Sequence, residues 1–227
     1  MTGQPGRRKS AVWAAMSSAA VLLGTVACGG NNAPQSGPNG TSGSGTAPKL
    51  AVVSTINAWG SIAAQLGGDR VQQTSIITNP DTDPHSYEPS TGDARTVANA
   101  KIVVENGIGY DAWADKMVAS NPNPQRTVVN VGDTDGVADG GNPHQWYSPD
   151  SVTKVANAIT AAYKKADPTD SGYFDQQNQQ FLNQSLSSYH SSIANIKAKY
   201  AGTPVGASES IFSPLSDALG PVSYTHL

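Results

Sequence analysis

From Lys49 onward, short apolar runs alternate with longer stretches whose apolar residues recur every three to four positions. Lys49–Thr55 is a compact run of β-branched type and predicts a buried strand, and Ile56–Leu66 predicts a helix closed by Gly67-Gly68-Asp69. Val71–Thr78 predicts a second strand, Thr91–Ala100 a helix, Lys101–Glu105 a third strand, Ile108–Val118 a helix and Thr127–Val131 a fourth strand. Gly132–Gly141 breaks the pattern as an acidic loop. Asp150–Lys165 predicts a helix with Val152, Val155, Ile159 and Tyr163 on one face. Gly172–Tyr200 carries Leu182, Leu186, Tyr189, Ile193, Ile196 and Tyr200 at alternating steps of four and three. As one helix it would span on the order of 40 Å at 1.5 Å per residue. Pro204–Ser208 predicts a strand, Ile211–Leu219 a helix, and Pro221–Ser223 the start of another strand. Strand and helix in repeated alternation imply an α/β fold with a mostly parallel sheet, whose ligands bind at loops beyond the carboxyl ends of the strands.

The first 48 residues follow other rules. Arg7-Arg8-Lys9 precedes Ala11–Ala27, which is small or apolar throughout, the layout of a secretory signal. That run is short and poor in large apolar residues for a membrane span. Val26-Ala27-Cys28-Gly29-Gly30 resembles a bacterial lipobox, with Thr25 where an aliphatic residue is usual; the resemblance makes Cys28 a lipidated first residue. The alternative is a plain small-residue cleavage site beside the cysteine. Residues 29–48 are Gly, Ser, Asn and Pro in the main and lack the apolar side chains to fold alone, so they form a tether.

Charge and cysteine usage narrow the function. Net charge is −3; residues 1–27 hold three of the 14 basic residues and none of the 17 acidic ones, which leaves −6 for the remainder. An acidic domain argues against nucleic acid, whose phosphates need basic patches. The single cysteine excludes an internal disulfide and a cysteine-rich zinc site. Asp133, Asp135 and Asp139 lack the spacing and closing Glu of a calcium loop and predict a solvated segment. His190, on the flank of the long helix, predicts a solvated residue.

Candidate chemistry lies in two Pro-His loops. Asp83-Pro84-His85-Ser86-Tyr87-Glu88-Pro89 follows the second strand, and proline neighbours stiffen it. Asn142-Pro143-His144-Gln145-Trp146 repeats the pattern. Glu209 follows the Pro204–Ser208 strand, at the same kind of position as His85. Together these stretches resemble the substrate-binding lipoproteins of bacterial ABC importers for zinc and manganese, the cluster A-I type. The family's DPHxYEP motif is matched at 83–89, its (D/N)PHxW motif at 142–146, and its Ser-Glu/His-x-x-Phe segment at Ser208–Phe212. The resemblance covers roughly residues 49–220 and implies His85, His144 and Glu209 as metal ligands. It implies a two-lobed periplasmic-binding-protein-like fold with a long linking helix and an incomplete second lobe. The implied divisions are a signal peptide (1–27), a tether (28–48), an N-terminal lobe (49–165), a linking helix (166–202) and the start of a C-terminal lobe (203–227). The family's late Asp ligand has no match here, residues 222–227 do not resemble the family, and the chain reads as truncated. The implied function is capture of Zn2+ or Mn2+ as cargo by a monomer, anchored outside the membrane, for delivery to a permease. Glu at the third position and the absence of His from 132–141 lean toward manganese, while imidazole suits zinc. Two alternatives remain: a secreted metal-dependent hydrolase, although no HExxH is present, and an adhesin of the same fold.

Overall fold

The computed structural model describes residues 48–220 and 224–226. The predicted signal segment, Cys28 and nearly all of the tether lie outside the described residues. Four strands, β1 (Leu50–Ile56), β2 (Val71–Ile77), β3 (Ile102–Glu105) and β4 (Thr127–Asn130), form one wholly parallel sheet in the order β2-β1-β3-β4. The central strands β1 and β3 are apolar and buried on both faces, whereas edge strand β2 alternates exposed and covered positions.

Helices cover both faces of the sheet. α1 (Asn57–Gly67) packs on β1 and β2, and α5 (Pro149–Ala166) packs on α1, β3 and β4. α2 (Thr91–Asn99) and α3 (Ala112–Ser120) pack on each other, with α2 against β1. The chain runs from β1 outward to β2, then crosses back to β3, so right-handed crossovers place α1 on one face and α2 and α3 on the other. Between β1 and β3 the winding reverses, which opens a crevice beyond their carboxyl ends. The core is built around Trp59, Tyr163 and Phe174, all fully buried, and Tyr163 Oη donates to the Ala63 carbonyl (2.8 Å), locking α5 to α1.

Three local differences from the sequence reading have physical causes. α3 begins at Ala112 rather than Ile108, because Gly107, Ile108 and Gly109 all take left-handed backbone angles (φ 65°, 59° and 74°). The Asp111 carboxylate holds that turn by accepting from the backbone N–H groups of Asn106 (2.7 Å) and Gly107 (2.8 Å). The acidic segment begins as a short helix, α4 (Val131–Asp135), because Asn130 Oδ1 accepts from Asp133 N–H and caps it. Asp135 is accordingly not solvated: its side chain is 3% exposed, with Lys154 Nζ at 3.8 Å. The predicted long helix is α6 (Ser171–Gln180) and α7 (Ser187–Tyr200) joined by a π turn over Phe181–Ser185, where Leu186 N–H bonds the Phe181 carbonyl. His190 is exposed there, as expected.

Phe181, Leu182 and Leu186 pack on the first core. Farther along, Ile196 and Tyr200 are exposed and line a cavity of about 420 Å3 with Val205, Phe212, Leu215 and Leu219. Those last residues come from β5 (Val205–Ala207), a 3-10 turn at Ser210–Phe212 and α8 (Ser213–Leu219). β5 pairs in parallel with β6 (Tyr224–His226), so the last strand lies a few residues beyond its predicted start. Among the described residues no helix is long and apolar enough to cross a membrane.

Candidate metal centre

Each Pro-His loop is a small clip built by the residue two positions before the histidine. Asp83 caps a 3-10 turn over Pro84–Ser86, with Pro84 at its first position. Asp83 Oδ1 accepts from both His85 N–H (3.0 Å) and His85 Nδ1 (3.0 Å), while Oδ2 accepts from Ser86 Oγ (3.2 Å). The His85 hydrogen bonds hold the Asp83 carboxyl below its ordinary value, so it stays an acceptor and His85 Nδ1 carries the proton. The loop is pinned from behind. Trp113 Nε1 donates to the Pro84 carbonyl (3.1 Å), and Tyr87 packs on Trp113 and donates to Asp93 in the capping box of α2.

The second clip repeats the first. Asn142 Oδ1 accepts from His144 N–H (3.0 Å) and His144 Nδ1 (2.9 Å). Asn142 Nδ2 donates to the Ser210 carbonyl (2.7 Å), which fixes which end of the amide faces the histidine. Since Oδ1 can only accept, His144 Nδ1 must carry the proton, and Nε2 is the nitrogen with the free lone pair. Burial lowers the His144 pKa; His85 adds to that effect and Glu209 opposes it. A neutral imidazole with a defined lone pair is what a divalent ion requires of a histidine.

Tyr110, at the end of the left-handed turn after β3, stands between the two rings. Its centroid lies 4.7 Å from His85 and 5.7 Å from His144, edge to face in both cases. Trp146 backs His144 (5.3 Å) and reaches Trp59 of the core (6.4 Å). A cavity of about 390 Å3 lies beyond the ends of β1 and β2, lined by Ile56, Ile77, Tyr110, His144, Trp146 and Glu209 among others. Glu209 is exposed, on extended backbone just after β5. Thus His144 and Glu209 share one cavity and His85 stands against its Tyr110 wall. Among the described residues no three His, Cys, Asp or Glu side chains converge closely enough to form a finished coordination sphere.

Sequence reasoning credited the prolines with stiffening these loops and passed over Asp83, Asn142 and Tyr110. The signal for the first two was present: both motifs place an oxygen acceptor at the same offset before the histidine. Tyr110 had no such signal, because the turn that carries it was read as helix.

Several known proteins resemble this chain. The chain is 29% identical over 147 residues to the iron-binding protein YfeA of Yersinia pestis, covering 61% of this chain and 46% of that one. It is 28% identical over 229 residues to the manganese ABC transporter substrate-binding lipoprotein PsaA of Streptococcus pneumoniae, covering 90% of this chain and 68% of that one. The match therefore spans about half of the first relative's length and two thirds of the second's. The metal-dependent lipoprotein YcdH of Bacillus subtilis superposes with a TM-score of 0.69 at 22% identity, over 78% of this chain and 66% of that one. At that identity the likeness is one of fold, the two-lobed α/β fold of metal-binding periplasmic proteins. Residues 52–225 match the family described as zinc-uptake complex component A periplasmic (ZnuA), and the chain belongs to that family.

Proposed function

We propose that the protein captures a divalent first-row metal ion, Zn2+ or Mn2+, outside the membrane and delivers it to the permease of an ABC importer. His85 and His144 would ligate through Nε2 and Glu209 through its carboxylate, in a cleft between an N-terminal lobe (49–165) and a second lobe that begins near residue 203. The observation that carries this reading is the paired clip: two histidines are each held by the residue two positions earlier, each with Nδ1 bonded and Nε2 available, on either side of Tyr110. Glu209 in the cavity beside His144 supplies a third donor of opposite charge, and the cargo itself would draw the three together. Two imidazoles and a carboxylate bind zinc more tightly than manganese in general, so selectivity for manganese would have to come from geometry and availability. Export and a lipid on Cys28 would hold the domain at the membrane on the tether of residues 28–48.

The test is calorimetric titration of the chain with Zn2+ and Mn2+. His85→Ala and His144→Ala should each weaken zinc binding by about 100-fold or more, since each removes a ligand rather than an outer partner. Undiminished zinc affinity in both variants would overturn the assignment.

A further inference from the structure

The prolines that precede the two histidines share a feature their sequences do not display. The Pro84 carbonyl accepts from Trp113 Nε1 at 3.1 Å, and the Pro143 carbonyl accepts from Asn106 Nδ2 at 3.1 Å. In each case the donor is a buried side chain close after β3, Asn106 in the turn that follows it and Trp113 in the first turn of α3, Trp113 being 8% exposed and Asn106 fully buried. The carbonyl in question belongs to the peptide plane that leads into the histidine, so holding it fixes where the histidine Cα starts. We infer that Trp113 and Asn106 are positioning residues, each setting one histidine from beneath while Asp83 and Asn142 set the rings from the side. The relevance of this to metal capture rests on the proposed function; the positioning itself does not.

Asn106 is fitted to the task. Trp59 Nε1, which can only donate, is 2.8 Å from Asn106 Oδ1, so the amide is oriented with its nitrogen toward the loop. Nδ2 then donates to both Gly107 O (3.3 Å) and Pro143 O (3.1 Å), using both hydrogens. Its backbone N–H goes to Asp111 and its carbonyl accepts from Gly132 N–H, so the residue itself is held at both ends. Trp113 is held by packing in the core and against Tyr87. Neither donor serves the other loop. That separation makes the inference testable, since a general loss of structure would disturb both histidines together.

The experiment uses the full chain labelled with 15N-histidine, at about pH 8 where imidazole is neutral. Long-range 1H–15N correlation reads the tautomer of each ring. Trp113→Phe should shift His85 away from its Nδ1–H form and leave His144 unchanged; Asn106→Ala should do the reverse, with exposed His190 constant in both. Zinc affinity should fall about tenfold in each variant, the lower end of the range for residues that act through a ligand. Histidine spectra that stay unchanged in the folded variants, or that move together in both, would overturn the inference. Where Asn106→Ala fails to fold, Trp113→Phe alone decides, by moving His85 without His144 or not. If the wild-type chain binds no zinc, the proposed function fails while the spectra still decide the positioning.

Discussion

Glu105 ends β3 and is only 5% exposed, yet among the described residues no cation forms an ion pair with it. Oε1 accepts from Asn130 Nδ2 at 3.0 Å. Burial raises its pKa from an ordinary 4.5 to about 7; the Asn130 hydrogen bond opposes this, and the charges of Asp115 and Asp111 add to it. Below about pH 4.5 the group is protonated whether the chain is folded or not, and its protonation costs nothing. Between that point and about pH 7 the native state holds the proton more tightly than the unfolded chain, so stability falls as pH rises. Above about 7 the loss is complete. The gap from 4.5 to about 7, at about 1.4 kcal/mol per pH unit, comes to about 3 kcal/mol. Glu105→Gln keeps the shape and the acceptor for Asn130 but does not titrate. Urea unfolding followed by tryptophan fluorescence, at steps from about pH 4 to about pH 8, gives the stability of each protein. The variant's advantage over wild type should grow by about 3 kcal/mol across the window and then level off. A difference that stays constant with pH would refute the reasoning, since it would mean that Glu105 titrates alike in the folded and unfolded chain.

Three further outcomes are expected. Asn142→Ala should weaken zinc binding by about 10–100-fold in a titration, whereas Asn142→Asp should weaken it far less, because Asp83 performs the same office for His85 with a carboxylate. Gly107→Ala should destabilise the fold by about 1–3 kcal/mol in chemical denaturation, because φ is +65° there and a Cβ would collide with the Asn130 side chain. Tyr163→Phe should cost about 1–2 kcal/mol by the same measurement, since it removes the buried bond from Tyr163 to Ala63 while leaving the packing almost unchanged.

The centre of the sheet was legible because parallel strands covered on both faces must be apolar, and Leu50–Val53 and Ile102–Val104 are. The helices with strong end signals were legible too: Ser148-Pro149 opens α5 with a cap and a first-turn proline. What could not be read depends on contacts distant in sequence. Ile108 sits in a helical pattern, and only the Asp111 carboxylate reaching back to Asn106 and Gly107 makes a left-handed turn of it. The π turn adds one residue to a helix whose four-three spacing reads the same with or without it. At the site, His85, His144 and Glu209 were picked out by motif, because ligand chemistry is confined to few residue types. Asn106 was invisible, since its partners Trp59 and Pro143 lie 47 residues before and 37 after it.

The Asn142 amide has two ends with different loyalties. Its oxygen dictates the protonation of His144, and its nitrogen reads the position of Ser210, next in sequence to Glu209. Withdrawal of the Ser210 segment would take the carboxylate away and release the amide in the same stroke. The oxygen end would stay where it is, because Asn142 Oδ1 also accepts from the backbone N–H of His144, so only the nitrogen would be left to find water. One side chain thus ties the His144 loop to the segment that carries Glu209, and the distance between the two candidate groups is set by a single hydrogen bond across 68 residues of chain.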